Sequence, residues 1–171
     1  MIREYKGKSP AIHDAAWVAD NADVIGDVEI AADASVWFQS VVRGDVCPVR
    51  IGARSNIQDQ CTIHVTRDTC PTIIHEDVTL GHRVVVHGAE IRPGALIGIG
   101  SIVLDRAVVE EGALVGAMSL VTPGTVIPAG TLAMGQPARP VRDVTDAERD
   151  WMRETVASYA GYAREYKLSG A

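Results

Sequence analysis

Branched aliphatic residues recur at every sixth position through most of this sequence. The period is strictest in the second half, where seven successive positions are all Val or Ile: Ile91, Ile97, Val103, Val109, Val115, Val121 and Ile127. Four residues after each of them comes a small side chain, and these seven are Ala95, Ser101, Ala107, Ala113, Ser119, Thr125 and Thr131. Because Val, Ile and Leu fill about a quarter of the chain, chance would produce the first run only about once in sixteen thousand frames.

The first half of the chain keeps the same period with interruptions. The repeat covers residues 18–42, 51–63 and 74–86, with three extra residues before the second segment and a longer insertion before the third. One residue is then missing before Ile91. The repeat therefore organises roughly residues 10 to 140.

A period of six excludes the commoner ways of burying aliphatic side chains. An α-helix turns every 3.6 residues and would scatter these positions around its surface, and a β-meander would need longer strands of alternating polarity. Short parallel strands joined by sharp corners fit the pattern, because the aliphatic residue points inward, small residues form the bend, and stacked coils share one core. The sequence thus predicts a mainly β protein with a parallel β-helix domain over residues 1–140.

The C-terminal segment, residues 141–171, departs from the repeat. Pro137 and Pro140 end the repeat, and Thr145 with Glu148 forms a capping-box signature. Apolar residues then follow at helical spacing: Met152, Val156, Tyr159, Ala163 and Tyr166. We predict a helix over residues 146–167 that packs its apolar face on the same domain.

Charge and composition narrow the functional class. The net charge of −6 argues against a basic nucleic-acid-binding groove, and the sequence suggests neither a signal peptide nor an apolar run of membrane length. The three cysteines, Cys47, Cys61 and Cys70, are odd in number and lack zinc-knuckle spacing. We expect a cytoplasmic protein with reduced, buried thiols, and neither a nucleic acid nor a membrane as partner.

Three histidines fall at positions that the coil count relates to one another. The repeat resembles that of the hexapeptide-repeat proteins, which implies that three six-residue faces make one coil, so Ile63 and Val86 lie on the same face of adjacent coils. His64 and His87 follow them directly and are therefore separated by one strand spacing of about 4.8 Å, which is close enough to share a metal ion. His82 lies on a different face.

In a single chain, His82 should not reach an ion bound by the other two histidines. In a cyclic homotrimer it can, because a neighbouring chain brings its own different face to the groove. We therefore predict a zinc site at each subunit interface, with His64 and His87 from one chain and His82 from the next. Imidazole ligands suit iron(II) and cobalt(II) as well as Zn²⁺.

The repeat resembles that of the hexapeptide-repeat proteins, whose fold is a left-handed parallel β-helix of triangular section. The handedness is implied by this resemblance alone, because parallel crossovers are usually right-handed. Within that group the chain resembles the gamma-class carbonic anhydrases, through RSNIQDQCTIH at residues 54–64 and GHRVVVHG at residues 81–88. The resemblance maps the metal ligands of that family onto His64, His82 and His87, with the neighbouring subunit supplying His82.

The resemblance implies hydration of carbon dioxide to bicarbonate. Three neutral imidazoles leave zinc a positive charge and an open position where water ionises with a pKa of roughly 7, so that metal-bound hydroxide can attack the substrate. Asn56 and Gln58 match family residues that hydrogen-bond near the metal-bound water. Strand alternation would place Gln58 on the side of His64.

Three further residues enter through the resemblance, and two departures limit it. Arg43 and Asp45 match a pair that makes an arginine–carboxylate contact across the subunit interface of the family. Tyr159 matches a tyrosine that approaches the metal in relatives. Well-studied members carry acidic residues, one of them for proton transfer, where this chain has Val46 and Arg67, so we expect low turnover.

Other interpretations stay open. Structural roles would be a polar ladder for Asn56 and Gln58, a loop salt bridge for Arg43 and Asp45, and core packing for Tyr159. Many hexapeptide-repeat proteins are acyltransferases that bind coenzyme A and need no metal, and the predicted metal site would also suit hydrolysis of an acyl thioester. A trimer that carries metal structurally, with weak or no catalysis, is the third function that the sequence allows.

Overall fold

The six-residue repeat winds into a parallel β-helix. The computed structural model describes residues 1–169, in which twenty strands are followed by one helix. In chain order these are β1 (Ile2–Arg3), β2 (Ala11–Ile12), β3 (Trp17–Val18), β4 (Asp23–Ile30), β5 (Ser35–Val36), β6 (Val41–Ile51), β7 (Asn56–Ile57), β8 (Thr62–His64), β9 (Thr72–Ile74), β10 (Thr79–Leu80), β11 (Val85–His87), β12 (Glu90–Ile91), β13 (Leu96–Ile97), β14 (Ile102–Val103), β15 (Val108–Val109), β16 (Leu114–Val115), β17 (Leu120–Val121), β18 (Val126–Ile127), β19 (Thr131–Gly135), β20 (Ala138–Asp143) and α1 (Asp146–Ser169). The predicted fold class, a mainly β left-handed parallel β-helix with a C-terminal helix, is confirmed.

Successive strands rotate among three faces of the β-helix. One sheet has the order β20-β19-β16-β13-β10-β7-β5-β3 and forms the face on which α1 packs, which we call the helix face. The other has the order β17-β14-β11-β8-β6-β9-β12-β15-β18 and covers two faces, because the long β6 bends around the corner between them. We call the part formed by β8, β11, β14 and β17 the histidine-pair face. All of these strands pair in parallel except β19 with β20.

The aliphatic positions of the repeat form the core. All seven residues in steps of six from Ile91 to Ile127 are fully buried, and so is the earlier Ile63. The corners precede the small residues, and there the backbone takes the left-handed conformation, with φ of +67° at Gly94 and +58° at Met118. Glycine adopts this conformation without steric cost, which explains why it precedes so many of the small residues.

The C-terminal helix begins at the predicted capping box. The backbone N–H of Thr145 donates to Glu148 Oε2 at 2.9 Å, and the N–H of Glu148 donates to Thr145 Oγ1 at 3.3 Å, so the side chains of the capping box satisfy two of the backbone donors at the helix start. The helix extends to Ser169, two residues beyond the predicted end. The predicted boundary between residues 140 and 141 lies within β20. No helix in residues 1–169 combines the length and the apolar character needed to cross a membrane.

An aromatic cluster holds the helix against the first coils. The ring of Trp17 lies 4.8 Å from that of Trp37, Tyr159 lies 5.1 Å from Trp37, and Tyr166 lies 5.2 Å from Trp17. The two contacts of Trp37 are edge-to-face, and aromatic contacts at such distances stabilise by more than their buried area alone. Farther along, Met152 is buried in a second cluster, whose other members are Leu96, Leu114, Leu132 and Val144.

The three cysteines are free thiols in the described part of the chain. Cys61 and Cys70 are buried, and Cys47 is partly exposed. Burial raises the pKa of Cys61 to about 12, so this thiol stays protonated at neutral pH and acts as a small apolar side chain.

Adjacent residues of β18 give a direct test of the inward and outward positions. Ile127 is 0% exposed and Val126 is 55% exposed. Ile127→Ala should lower the free energy of unfolding by about 2–5 kcal/mol, because it opens a cavity in the narrow core. Val126→Ala should change it by about 0.5 kcal/mol or less. Urea unfolding followed by circular dichroism measures both, and equal losses would contradict the assigned register.

Candidate metal centre

Strand pairing brings His64 and His87 together on the histidine-pair face. The register of β8 and β11 matches Ile63 with Val86 and His64 with His87, so the equivalent positions predicted from the coil count are confirmed. The two ring centroids are 5.1 Å apart, and His64 Nδ1 lies 3.1 Å from His87 Nε2. Two imidazole nitrogens therefore point at each other, an arrangement that a cation between them would suit.

Carboxylates hold the opposite nitrogens of both rings. Asp45 Oδ1 lies 3.1 Å from His64 Nε2, and Asp105 Oδ1 lies 2.6 Å from His87 Nδ1. Carboxylates in this position orient metal-ligating imidazoles and strengthen them as ligands. The sequence interpretation assigned Asp45 to Arg43 and missed Asp105. Asp105 follows β14, and the register of Val86 with Val103 places it beside Gly88 on the next coil, which is the signal that could have found it.

The electrostatics favour the neutral form of His64 and the ionised form of the two carboxylates. Burial lowers the pKa of His64 below its ordinary value, and nearby Arg43 acts in the same direction, against the hydrogen bond from Asp45. Burial alone would raise the pKa of Asp45, but hydrogen bonds from Arg43 and His64 outweigh it and leave that pKa lowered. Metal ions bind the neutral form of imidazole, so these shifts favour a ligand state at neutral pH.

His82 lies on another face, as the coil count predicts. It follows β10 at the edge of the helix face, whereas β8 and β11 belong to the other sheet. Its Nδ1 lies 2.8 Å from Asp59 Oδ2, and 42% of its side chain is exposed. In the single chain, residues 1–169 contain no group of three or more His, Cys, Asp or Glu side chains that could hold a metal ion.

The placement of Asn56 and Gln58 corrects the sequence interpretation. Alternation predicted Gln58 on the side of His64, but β7 and β8 belong to different sheets. Gln60, with φ of +61°, turns the corner between them, so the alternation breaks there. Gln58 Nε2 donates to Asn56 Oδ1 at 3.2 Å, and Asn56 Nδ2 donates to Thr79 Oγ1 at 2.9 Å. Both predicted residues therefore share the helix face with β10, the strand before His82.

Of the remaining predicted residues, Arg43 lies beside the histidine pair and Tyr159 lies on the helix face. Arg43 forms an ion pair with Asp45 within the same chain, beside the histidine pair. Tyr159 packs on Trp37 in the aromatic cluster, and burial, with a smaller effect from nearby Asp59, raises its pKa. Tyr159 is therefore near the partner of His82 and belongs to the helix-face group.

The two positions that depart from the family pattern lie near Asp45, the partner of His64. Val46 and Arg67, which stand where acidic residues occur in the family, line a surface cavity of about 510 Å³ with Asp45 and Asp68. The backbone N–H of Asp68 donates to the carbonyl of Val46 at 3.2 Å. Asp68, the residue after Arg67, therefore contributes a carboxylate to the lining of this cavity.

The chain is similar to proteins named carbonic anhydrase and to solved structures of the same fold. No family model matches the chain. A carbonic anhydrase of Geobacillus kaustophilus (strain HTA426) is 50% identical over 167 residues, covering 98% of this chain and 91% of that protein. The mitochondrial gamma carbonic anhydrase 1 of Arabidopsis thaliana is 38% identical over 169 residues, covering 96% of this chain and 62% of that protein. Among solved structures, a Bacillus cereus protein described as a candidate acetyltransferase has a TM-score of 0.96 at 45% identity, covering 98% of this chain and 96% of that one.

The lowered pKa of Asp45 gives a pH-dependent prediction. Its pKa in the folded chain is below the ordinary value of 3.8, so its contribution to stability is complete above that value and is lost as the pH falls through the lower, folded-state pKa. Asp45→Asn should therefore be less stable than the wild type at pH 6, and the difference should shrink below pH about 4. Urea unfolding of both proteins from pH 3 to 7 measures the difference; a gap that stays constant would contradict the assignment.

Proposed function

We propose, from the premise that this chain belongs to the gamma-class carbonic anhydrase family, that it hydrates carbon dioxide to bicarbonate at metal sites shared between the subunits of a homotrimer. The observation that carries the proposal is the facing pair of nitrogens on His64 and His87, 3.1 Å apart. Two nitrogens that bind one tetrahedral zinc ion at about 2.1 Å each are about 3.4 Å apart. The donor set of this chain therefore fits the ion with little adjustment.

The third ligand would be His82 of a neighbouring chain. Its Nδ1 is held by Asp59, so the three histidines share one design in which a carboxylate holds one ring nitrogen and leaves the other for the ion. The surface around it favours association, because Ile99 is 52% exposed and Met118 is 64% exposed. A cyclic trimer would bury the surface around His82, Ile99 and Met118 against the histidine-pair face of the next chain.

The bound ion would act as a Lewis acid that makes a nucleophile available from water at neutral pH. The chain's own residues would position that ion and the reacting groups. Asp45 and Arg43 would hold His64 in place. Asn56 and Gln58, joined by their hydrogen bond, would arrive from the neighbour together with His82 and offer polar atoms beside the open position. With Arg67 in place of an acidic residue, proton removal would be slow and turnover low.

Stopped-flow measurement of carbon dioxide hydration tests the proposal. The full chain, stripped of metal and reloaded with zinc or, under anaerobic conditions, with iron(II), should accelerate hydration and bind about one ion per chain. His82→Ala should lose the ion and the activity, because two imidazoles hold the ion more weakly than three.

His75→Ala is the matched control for that experiment. His75 also pairs with a carboxylate, Glu90, at 2.8 Å, but it lies on the third face of the β-helix, after β9. The variant should keep both the ion and the activity. Full occupancy without hydration would contradict the reaction, and an ion retained by His82→Ala would contradict the shared site.

Acyl transfer or thioester hydrolysis is the second candidate. It is favoured by the likeness to the Bacillus cereus structure. Release of free thiol from acetyl-coenzyme A, followed with a thiol reagent, distinguishes the two functions. We expect no release above background, and a rate that exceeds carbon dioxide hydration would favour this second candidate.

A further inference from the structure

We infer that Asp105 is a positioning residue that fixes the orientation and the tautomer of the His87 imidazole, with Thr66 and Gly88 as its supports. The inference deepens the proposed function, since it concerns one ligand of the same metal site. It rests on contacts within one chain.

The first step is the hydrogen bond itself. Asp105 Oδ1 lies 2.6 Å from His87 Nδ1, and an ionised carboxylate only accepts hydrogen bonds. The proton is therefore on Nδ1, and the lone pair of His87 is on Nε2, the nitrogen that faces His64. Without this partner, both neutral tautomers of the ring would be accessible.

Thr66 fixes the carboxylate from its other side. Thr66 Oγ1 donates to Asp105 Oδ2 at 2.6 Å, so both oxygens of Asp105 are engaged and the group cannot rotate freely. Thr66 belongs to the insertion between β8 and β9, where its backbone exchanges hydrogen bonds with Cys70 at 3.1 and 3.2 Å. The extra residues that interrupt the repeat thus build the support for Asp105.

Gly88 leaves the space that Asp105 needs. A Cβ atom at Gly88 would lie 2.7 Å from Asp105 Oδ1 and 2.8 Å from the Cβ of Cys70, and the φ of Gly88 is +60°. Any larger residue would push the carboxylate away from His87. Among residues 1–169, Asp105 forms no ion pair with a lysine or an arginine, and its side-chain hydrogen bonds are those to His87 and Thr66.

Two measurements test the inference. Histidine nitrogen chemical shifts in the metal-free protein, labelled with ¹⁵N-histidine, should show His87 as the Nδ1–H tautomer in the wild type. Asp105→Ala should give a mixture of tautomers. Competition with a chromogenic chelator should show zinc affinity weakened by about 10-fold to 100-fold in Asp105→Ala, and by less in Asp105→Asn, which keeps an accepting oxygen.

Controls separate this inference from folding and from the proposed function. Glu90→Gln removes the carboxylate beside His75 and should leave the zinc affinity and the His87 tautomer unchanged. Should both Asp105 variants fail to fold, Thr66→Val, which frees only Oδ2, should still weaken zinc binding and broaden the His87 signals. An unchanged tautomer and affinity in folded Asp105→Ala would overturn the inference. A wild type that binds no zinc would overturn the proposed function, while the tautomer comparison would still decide the role of Asp105.

Discussion

The parallel register between consecutive coils is the constraint on which the rest of the structure depends. Many of the strands contain only two residues, and such a strand is not stable alone. Its stability comes from the strands above and below it and from the aliphatic column inside. The register turns a separation of 23 residues between His64 and His87 into direct contact. A slip of one residue would turn the aliphatic column outward and separate the histidines at the same time, so the core and the candidate site depend on one alignment.

The three candidate ligand histidines each pair with a carboxylate, and they occupy two different surfaces of the chain. Asp45 and Asp105 hold the pair on one face, and Asp59 holds His82 on another. Because each carboxylate occupies one ring nitrogen, the other nitrogen is left for a ligand, and those of His64 and His87 face each other at 3.1 Å. Two of the three imidazoles therefore lie on one surface and the third on another. A cyclic assembly would bring the two surfaces of neighbouring chains together and complete the site.

The sequence predicted the features that a strict period governs. The inward column, the corners and the register of the two histidines all follow from counting residues, and the capping box at Thr145 follows from its own short motif. Counting failed for Gln58, because alternation applies within a strand and Gln60 turns a corner two residues later. The sequence interpretation also missed Asp105, whose position follows from the register of Val86 with Val103 but whose support by Thr66 depends on the inserted loop. Interruptions of the repeat change the coil length, and the placement of side chains beside them needs coordinates.

Mixing two variants that are each defective in a different half of the site tests the shared centre most directly. One variant lacks His82 and the other lacks both His64 and His87; they are unfolded together in equal amounts, refolded, and assayed for bound zinc. Half of the interfaces then have a chain with both His64 and His87, and in half of those the neighbouring chain has His82. About a quarter of the wild-type zinc should therefore return, although neither variant alone binds it. No recovery in a correctly assembled mixture would contradict the account.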